Sequence, residues 1–164
     1  MRRVRSDSVT LASFNAAATE DAVAVMMSCC ASTRFATAMA AGRPHESFAA
    51  VEAAISAAFE SLDWEDVLEA MAGHPRIGAR VSGQSAAEQS GVADSSRAAL
   101  SAGNLEYEER FGHVFLICAT GLSGEQMLAA LRERLVNDPY TERKVATAEL
   151  RKITVLRARK ALGS

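Results

Sequence analysis

Ser47-Phe48-Ala49-Ala50-Val51-Glu52-Ala53-Ala54-Ile55-Ser56-Ala57-Ala58-Phe59-Glu60-Ser61-Leu62 carries the clearest helical signal in the chain. Phe48, Val51, Ile55, Ala58, Phe59 and Leu62 fall on one stripe of a 3.6-residue period, and alanines fill most of the rest. Ser47 stands where a capping hydroxyl meets the orphan amides of the first turn. The spacing predicts an amphipathic helix buried on one side.

The same logic extends outward in both directions. Asp63 with Asp66 reopens a helix that turns Trp64, Val67, Leu68 and Met71 inward until Gly73 stops it. Upstream, Ser32 caps a short helix pairing Phe35 with Met39, and Gly42 ends it before Pro44. Thr19, followed by Glu20 and Asp21, reads as a capping hydroxyl with acids in the positive first turn. Val23, Met26, Met27 and Cys30 then share a face, a core cluster rather than a cofactor box. Downstream, His74 to Gln84 loses all periodicity and reads as a loop. Helix returns at Ser85, breaks near Gly91 and resumes from about Ser96 to Phe111. Val114-Phe115-Leu116-Ile117-Cys118 is too short for a typical helix and reads as an extended core segment, with a first helical turn as the alternative. Ser123 caps the next helix, and Asp138-Pro139 opens the last, which runs to about Ala161.

Composition agrees. The 164 residues are 49% apolar but only 5% aromatic, and alanine supplies about a fifth, a balance that suits helices over a β-sandwich. The expected architecture is an all-α bundle of about seven or eight helices, with one loop segment and one short extended segment. Residues 1–13 read as a basic and polar arm and residues 14–161 as a single domain. A net charge of −2 leaves no broad basic surface for nucleic acid. No apolar run is long enough to span a membrane, and the basic start MRRVRSDSV leads into no signal-peptide core. Cys29, Cys30 and Cys118 cannot all pair within the chain, which suggests reduced thiols in the cytoplasm. Neither metal-ligand spacing nor a glycine-rich phosphate loop is present.

Four features depart from scaffold logic. Pro75 keeps His74 out of the α region, so its imidazole sits at a fixed corner; it is either an idle loop histidine or a proton-transfer group. Ser85-Ala86-Ala87-Glu88 is a capping box as written, and its carboxylate is also able to orient a nearby histidine. Arg157 emerges from the stripe Ala146, Leu150, Ile153, either snorkelling to the edge or meeting an anion. Ile117-Cys118-Ala119-Thr120-Gly121, if non-helical, leaves backbone groups available to read a polar ligand; otherwise it is a connector ending on glycine. Cys118 has no adjacent base and is not read as a nucleophile, and Glu108-Glu109 reads as a solvated helix face.

These residues fall into a recognisable order. His74-Pro75-Arg76-Ile77-Gly78, Ser85 to Gly91, Asn104 with Tyr107, Arg110-Phe111-Gly112, Phe115-Leu116-Ile117, and Lys152-Ile153 with Arg157 resemble the OHCU decarboxylase family. The likeness runs from about Phe14 to Arg157. It implies an all-helical homodimer without metal or organic cofactor. The implied reaction is decarboxylation of 2-oxo-4-hydroxy-4-carboxy-5-ureidoimidazoline (OHCU) to (S)-allantoin in urate degradation. On that resemblance His74 is the catalytic histidine and Glu88 its partner carboxylate. Pro75, Ser85, Ala86, Ala87, Glu88, Gln89, Ile117, Cys118, Ala119, Thr120 and Gly121 match substrate-contacting positions. Arg157 matches the arginine that grips the anionic substrate, with Arg159 close enough to compete for that role. The alternative is a non-catalytic helical module that binds a ureide or purine metabolite.

Overall fold

The computed structural model describes residues 9–74, 76–77 and 94–163, with the side chains of Asp94 and Ser95 outside the description. Among the described residues there are eight helices and no strand: α1 Leu11–Ala16, α2 Thr19–Cys29, α3 Thr33–Ala41, α4 Phe48–Ser61, α5 Trp64–Met71, α6 Asp94–Phe111, α7 Gly124–Leu135 and α8 Pro139–Ala161. The all-α expectation holds. The helix expected from Ser85 lies outside the described residues. Two compact units divide the chain, one from Met1–Asp66 with Ile153–Ser164, the other from Val67–Lys152.

In the first unit, local caps set the helix starts. Ser32 Oγ accepts from the Phe35 amide and Ser47 Oγ from the Ala50 amide, as the sequence predicts. Asp63 and Asp66 each accept the other's amide, and the bond from the Asp66 amide holds the Asp63 carboxyl below its ordinary range. Two readings need correction. Thr19 is the first helical residue of α2 and Ala18 occupies the cap without a side-chain bond, so the acids Glu20 and Asp21 do the work at that end. The chain is also already helical at Leu11, inside the stretch read as an arm, because Thr10 and Ser13 form a reciprocal capping box. The core packs Phe14, Met26, Phe35, Met39, Val51, Ile55 and Phe59, all buried. Phe35 meets Phe59 edge to face at 5.5 Å, a geometry that adds to area burial. Cys29 and Cys30 are buried here, and burial pushes the Cys30 thiol up to about 11.

In the second unit α6 packs closely on α7. A Cβ on Gly103 would meet the end of the Leu131 side chain, which would have to shift to admit it. Leu100, Tyr107, Phe115, Ile117, Met127 and Leu131 form its core. Gly112, at φ 77°, turns the chain out of α6. Val114 to Ala119 then runs without regular secondary structure, as expected of the extended segment, with Phe115, Leu116, Ile117 and Ala119 buried. Gly121, at φ 81°, closes the turn into α7, whose start carries a reciprocal Ser123–Gln126 capping box.

Candidate functional site

His74 leaves α5 through a turn in which its amide bonds to the Met71 carbonyl at 3.0 Å, and it is half-buried. The residues that follow are tied to α6. Arg76 places a two-pronged ion pair on Glu108, Nε and Nη2 lying 2.7 and 2.8 Å from its two oxygens. The Ile77 carbonyl accepts from Asn104 Nδ2 at 2.7 Å. Asn104 and Glu108 stand four residues apart, one turn of α6, so a single helix face holds the chain just past His74. Glu108 therefore has a partner and is not the idle solvated carboxylate that the sequence suggests.

The second piece is Ile117-Cys118-Ala119-Thr120-Gly121. The Leu122 amide bonds to the Ala119 carbonyl at 3.0 Å. Among the described residues, the amides of Ile117, Ala119, Thr120 and Gly121 donate to no protein group. Backbone N–H groups left over beside a buried segment are the donors that a polar or anionic ligand edge requires. Cys118 is half-buried, while Thr120 and Gly121 are exposed.

Immediately upstream lies a buried cluster that sequence reading missed. Glu142, fully buried, accepts the Tyr107 hydroxyl at 2.5 Å and Arg134 Nε at 2.7 Å on Oε1, and Asn137 Nδ2 at 3.0 Å on Oε2. Arg134 Nη1 donates to the Leu116 carbonyl at 2.5 Å, and its guanidinium lies 4.5 Å from the Phe115 ring centre. Burial first, then the adjacent Glu142, drives the Tyr107 phenol well above its ordinary range. Arg134 and Glu142 are eight residues apart and straddle the helix break at Asp138-Pro139, so no helical spacing flags them as a pair. The one available signal was an arginine and a glutamate at positions the helical stripes turn inward, beside Leu131 and Ala146.

The other expected residues fall differently. Pro75, Ser85, Ala86, Ala87, Glu88 and Gln89 lie outside the described residues. Arg157 belongs to the first unit and is half-buried on α8, past buried Ile153. Its charge opposes the rise that burial imposes on the Cys29 and Cys30 thiols. Arg159 is committed elsewhere, 3.0 Å from Glu52 and over the Phe48 ring. The other histidines have structural contacts. His45 stacks on Phe14 with Nε2 3.2 Å from the Met39 carbonyl, and His113 packs edge-on against Tyr107. A cleft of about 280 Å³ between α6 and α7, lined by Ala99, Ala102, Leu128 and Leu135, contains none of the expected site residues. No helix among the described residues is long and apolar enough to cross a membrane.

A helical scaffold that spends buried charge on anchoring a short non-helical segment defines the class, and comparison with known proteins supplies the family. A family model described as OHCU decarboxylase matches residues 15–159. The chain belongs to that family. It is 38% identical over 144 residues to the uric acid degradation bifunctional protein TTL of Arabidopsis thaliana, covering 80% of this chain and 44% of that protein. It is 48% identical over 54 residues to the 2-oxo-4-hydroxy-4-carboxy-5-ureidoimidazoline decarboxylase of Amia calva, covering 33% of this chain and 31% of that one. The chain thus spans less than half the length of these curated relatives. Among solved structures, a crystal structure of OHCU decarboxylase in the presence of (S)-allantoin superposes with a TM-score of 0.76 at 35% identity, covering 90% of this chain and all of the other. A crystal structure of (S)-allantoin synthase matches with a TM-score of 0.71, 93% of this chain and 53% of the other; at 19% identity it speaks for the fold alone.

Proposed function

We propose that the chain decarboxylates OHCU to (S)-allantoin in urate degradation, in the cytoplasm, as a homodimer and without a resident cofactor. Family membership across residues 15–159 carries this reading. The likeness to a decarboxylase crystallised with (S)-allantoin supports it. Loss of carbon dioxide leaves the bonding electron pair on the ring carbon, where a neighbouring imine or carbonyl delocalises it, so the substrate is its own electron sink. The amides of Ile117, Ala119, Thr120 and Gly121 are the donors that would stabilise the developing negative charge. The delocalised pair makes the neighbouring ureido-bearing carbon the site of protonation. His74, oriented by Glu88, gives it a proton from one face and so sets the S configuration, while the hydroxyl becomes the carbonyl and its proton passes to the ring nitrogen. Pro75 and the stretch Ser85, Ala86, Ala87, Glu88, Gln89 shape the substrate pocket. Arg157 grips the carboxylate or ureido oxygens with a planar fork.

The test uses freshly generated OHCU, whose decay is followed by chiral detection of allantoin. Protein is expected to accelerate decay and yield one enantiomer. The His74→Ala variant, folded by circular dichroism, is expected to lose about 10²–10⁴-fold in rate, the span of a general acid–base contribution, together with the S preference. Retention of full rate and selectivity sinks the role assigned to His74. Saturable binding with unchanged decay would instead identify a ureide-binding module. Sedimentation analysis of the purified chain checks the dimer.

A further inference from the structure

We propose that Arg134, held by Glu142, is a positioning residue for the reaction: it clamps the Leu116 carbonyl and thereby fixes the donor backbone of Ile117–Gly121. This rests on the functional reading above.

A buried segment without helix or strand has no ladder to satisfy its carbonyls, so each needs another donor. At Leu116 that donor is a guanidinium, which bonds the carbonyl through Nη1 and stacks on the preceding ring of Phe115. The other side of the fork, Nε and Nη2, lies 2.7 and 2.6 Å from Glu142 Oε1. Glu142 is in turn held by Tyr107 from α6 and by Asn137 from the α7–α8 turn. Three helices thus converge on one carbonyl. A buried ion pair of this kind is a poor way to gain stability, because desolvation offsets most of the attraction. The α6–α7 contact already has Leu100, Met127 and Leu131 to hold it. What the pair supplies is a fixed location and rotation for the Leu116–Ile117 peptide, which carries the first of the donor amides. A displacement of about 1 Å in such a group costs on the order of 10²-fold in rate.

Arg134→Lys keeps a positive charge beside Glu142 but replaces the fork by a point donor that cannot bridge both acceptors. It is expected to stay folded and to lower kcat on OHCU by about 10–100-fold with little change in KM. The enantiomeric excess of (S)-allantoin is expected to fall, and the NMR order parameters of the 114–121 backbone amides to drop from the rigid range near about 0.85 toward about 0.6 while those of the first-unit helices stay unchanged. Glu142→Gln, which keeps the shape but frees the guanidinium, is expected to do the same. Arg132→Ala, which removes an exposed guanidinium on α7, is expected to leave every readout within about twofold. Folded Arg134→Lys with wild-type order parameters over residues 114–121, or with wild-type kcat and enantiomer ratio, overturns the proposal. Failure of both variants to fold overturns it too, in favour of a purely structural role. Wild-type protein that leaves OHCU decay unchanged overturns the functional reading instead. In that case lower order parameters over residues 114–121 in Arg134→Lys still support the clamp and unchanged ones refute it.

Discussion

The two units solve the same problem by different means. In the first, regular helices satisfy their own backbone, so caps such as Ser32 and Ser47 need only close the ends, and Met26, Phe35, Ile55 and Phe59 fill the interior. In the second, among the described residues, the stretch Val114 to Ala119 and the pair Arg76 and Ile77 have no repeating hydrogen bonds. Side chains do that work there, Arg134 for the Leu116 carbonyl and Asn104 for the Ile77 carbonyl, while the Arg76–Glu108 ion pair adds a side-chain tether to α6. A helical chain can carry non-helical backbone in its interior only where charged or amide side chains replace the missing ladder. Such backbone is also where groups remain available to a ligand.

The contrast can be broken experimentally. Glu142→Ala strips a fully buried carboxylate from Arg134 and is expected to cost about 3–5 kcal/mol in urea unfolding. A loss below about 1 kcal/mol would mean that the second unit does not depend on its buried charges. Ser47→Ala removes one local cap from α4 in the first unit and is expected to cost only about 1 kcal/mol in the same assay. A cost as large as that of Glu142→Ala would erase the distinction between the units.

The smallest effect is one of pH. Burial holds His113 below its ordinary value of 6.5, so the unfolded chain takes up a proton that the folded chain resists. The associated stability is present above 6.5 and is lost as pH falls through the depressed folded value. Unfolding at about pH 7.5 and about pH 5.5 is expected to show a decline that His113→Gln reduces. An unchanged slope in that variant assigns the decline to other groups.

Much of the scaffold is legible in the chain because it is local. Ser32, Ser47 and Ser123 sit beside the amides they cap, and the α4 stripe needs only a 3.6-residue period. The exceptions are also local, and instructive: Thr19 resembles a cap, yet the helix starts one residue earlier, and Thr10 caps a short helix too weakly periodic to read. His74 and the segment Ile117–Gly121 stand out because Pro75 and a short apolar run interrupt periodicity. The polar supports of the second unit were not legible, since their partners lie far apart in the chain: Arg76 with Glu108, Asn104 with Ile77, Tyr107 with Glu142.

The helical class, most helix starts, the extended segment and the residue types able to do proton transfer and anion binding are encoded locally. Each of these is set by neighbours within a turn or two. Long-range packing alone brings Arg134 to the Leu116 carbonyl and buries Glu142 wholly against Tyr107. It also committed Glu108, read as solvated, to Arg76. Those choices depend on where three helices cross, and no local spacing encodes the crossing.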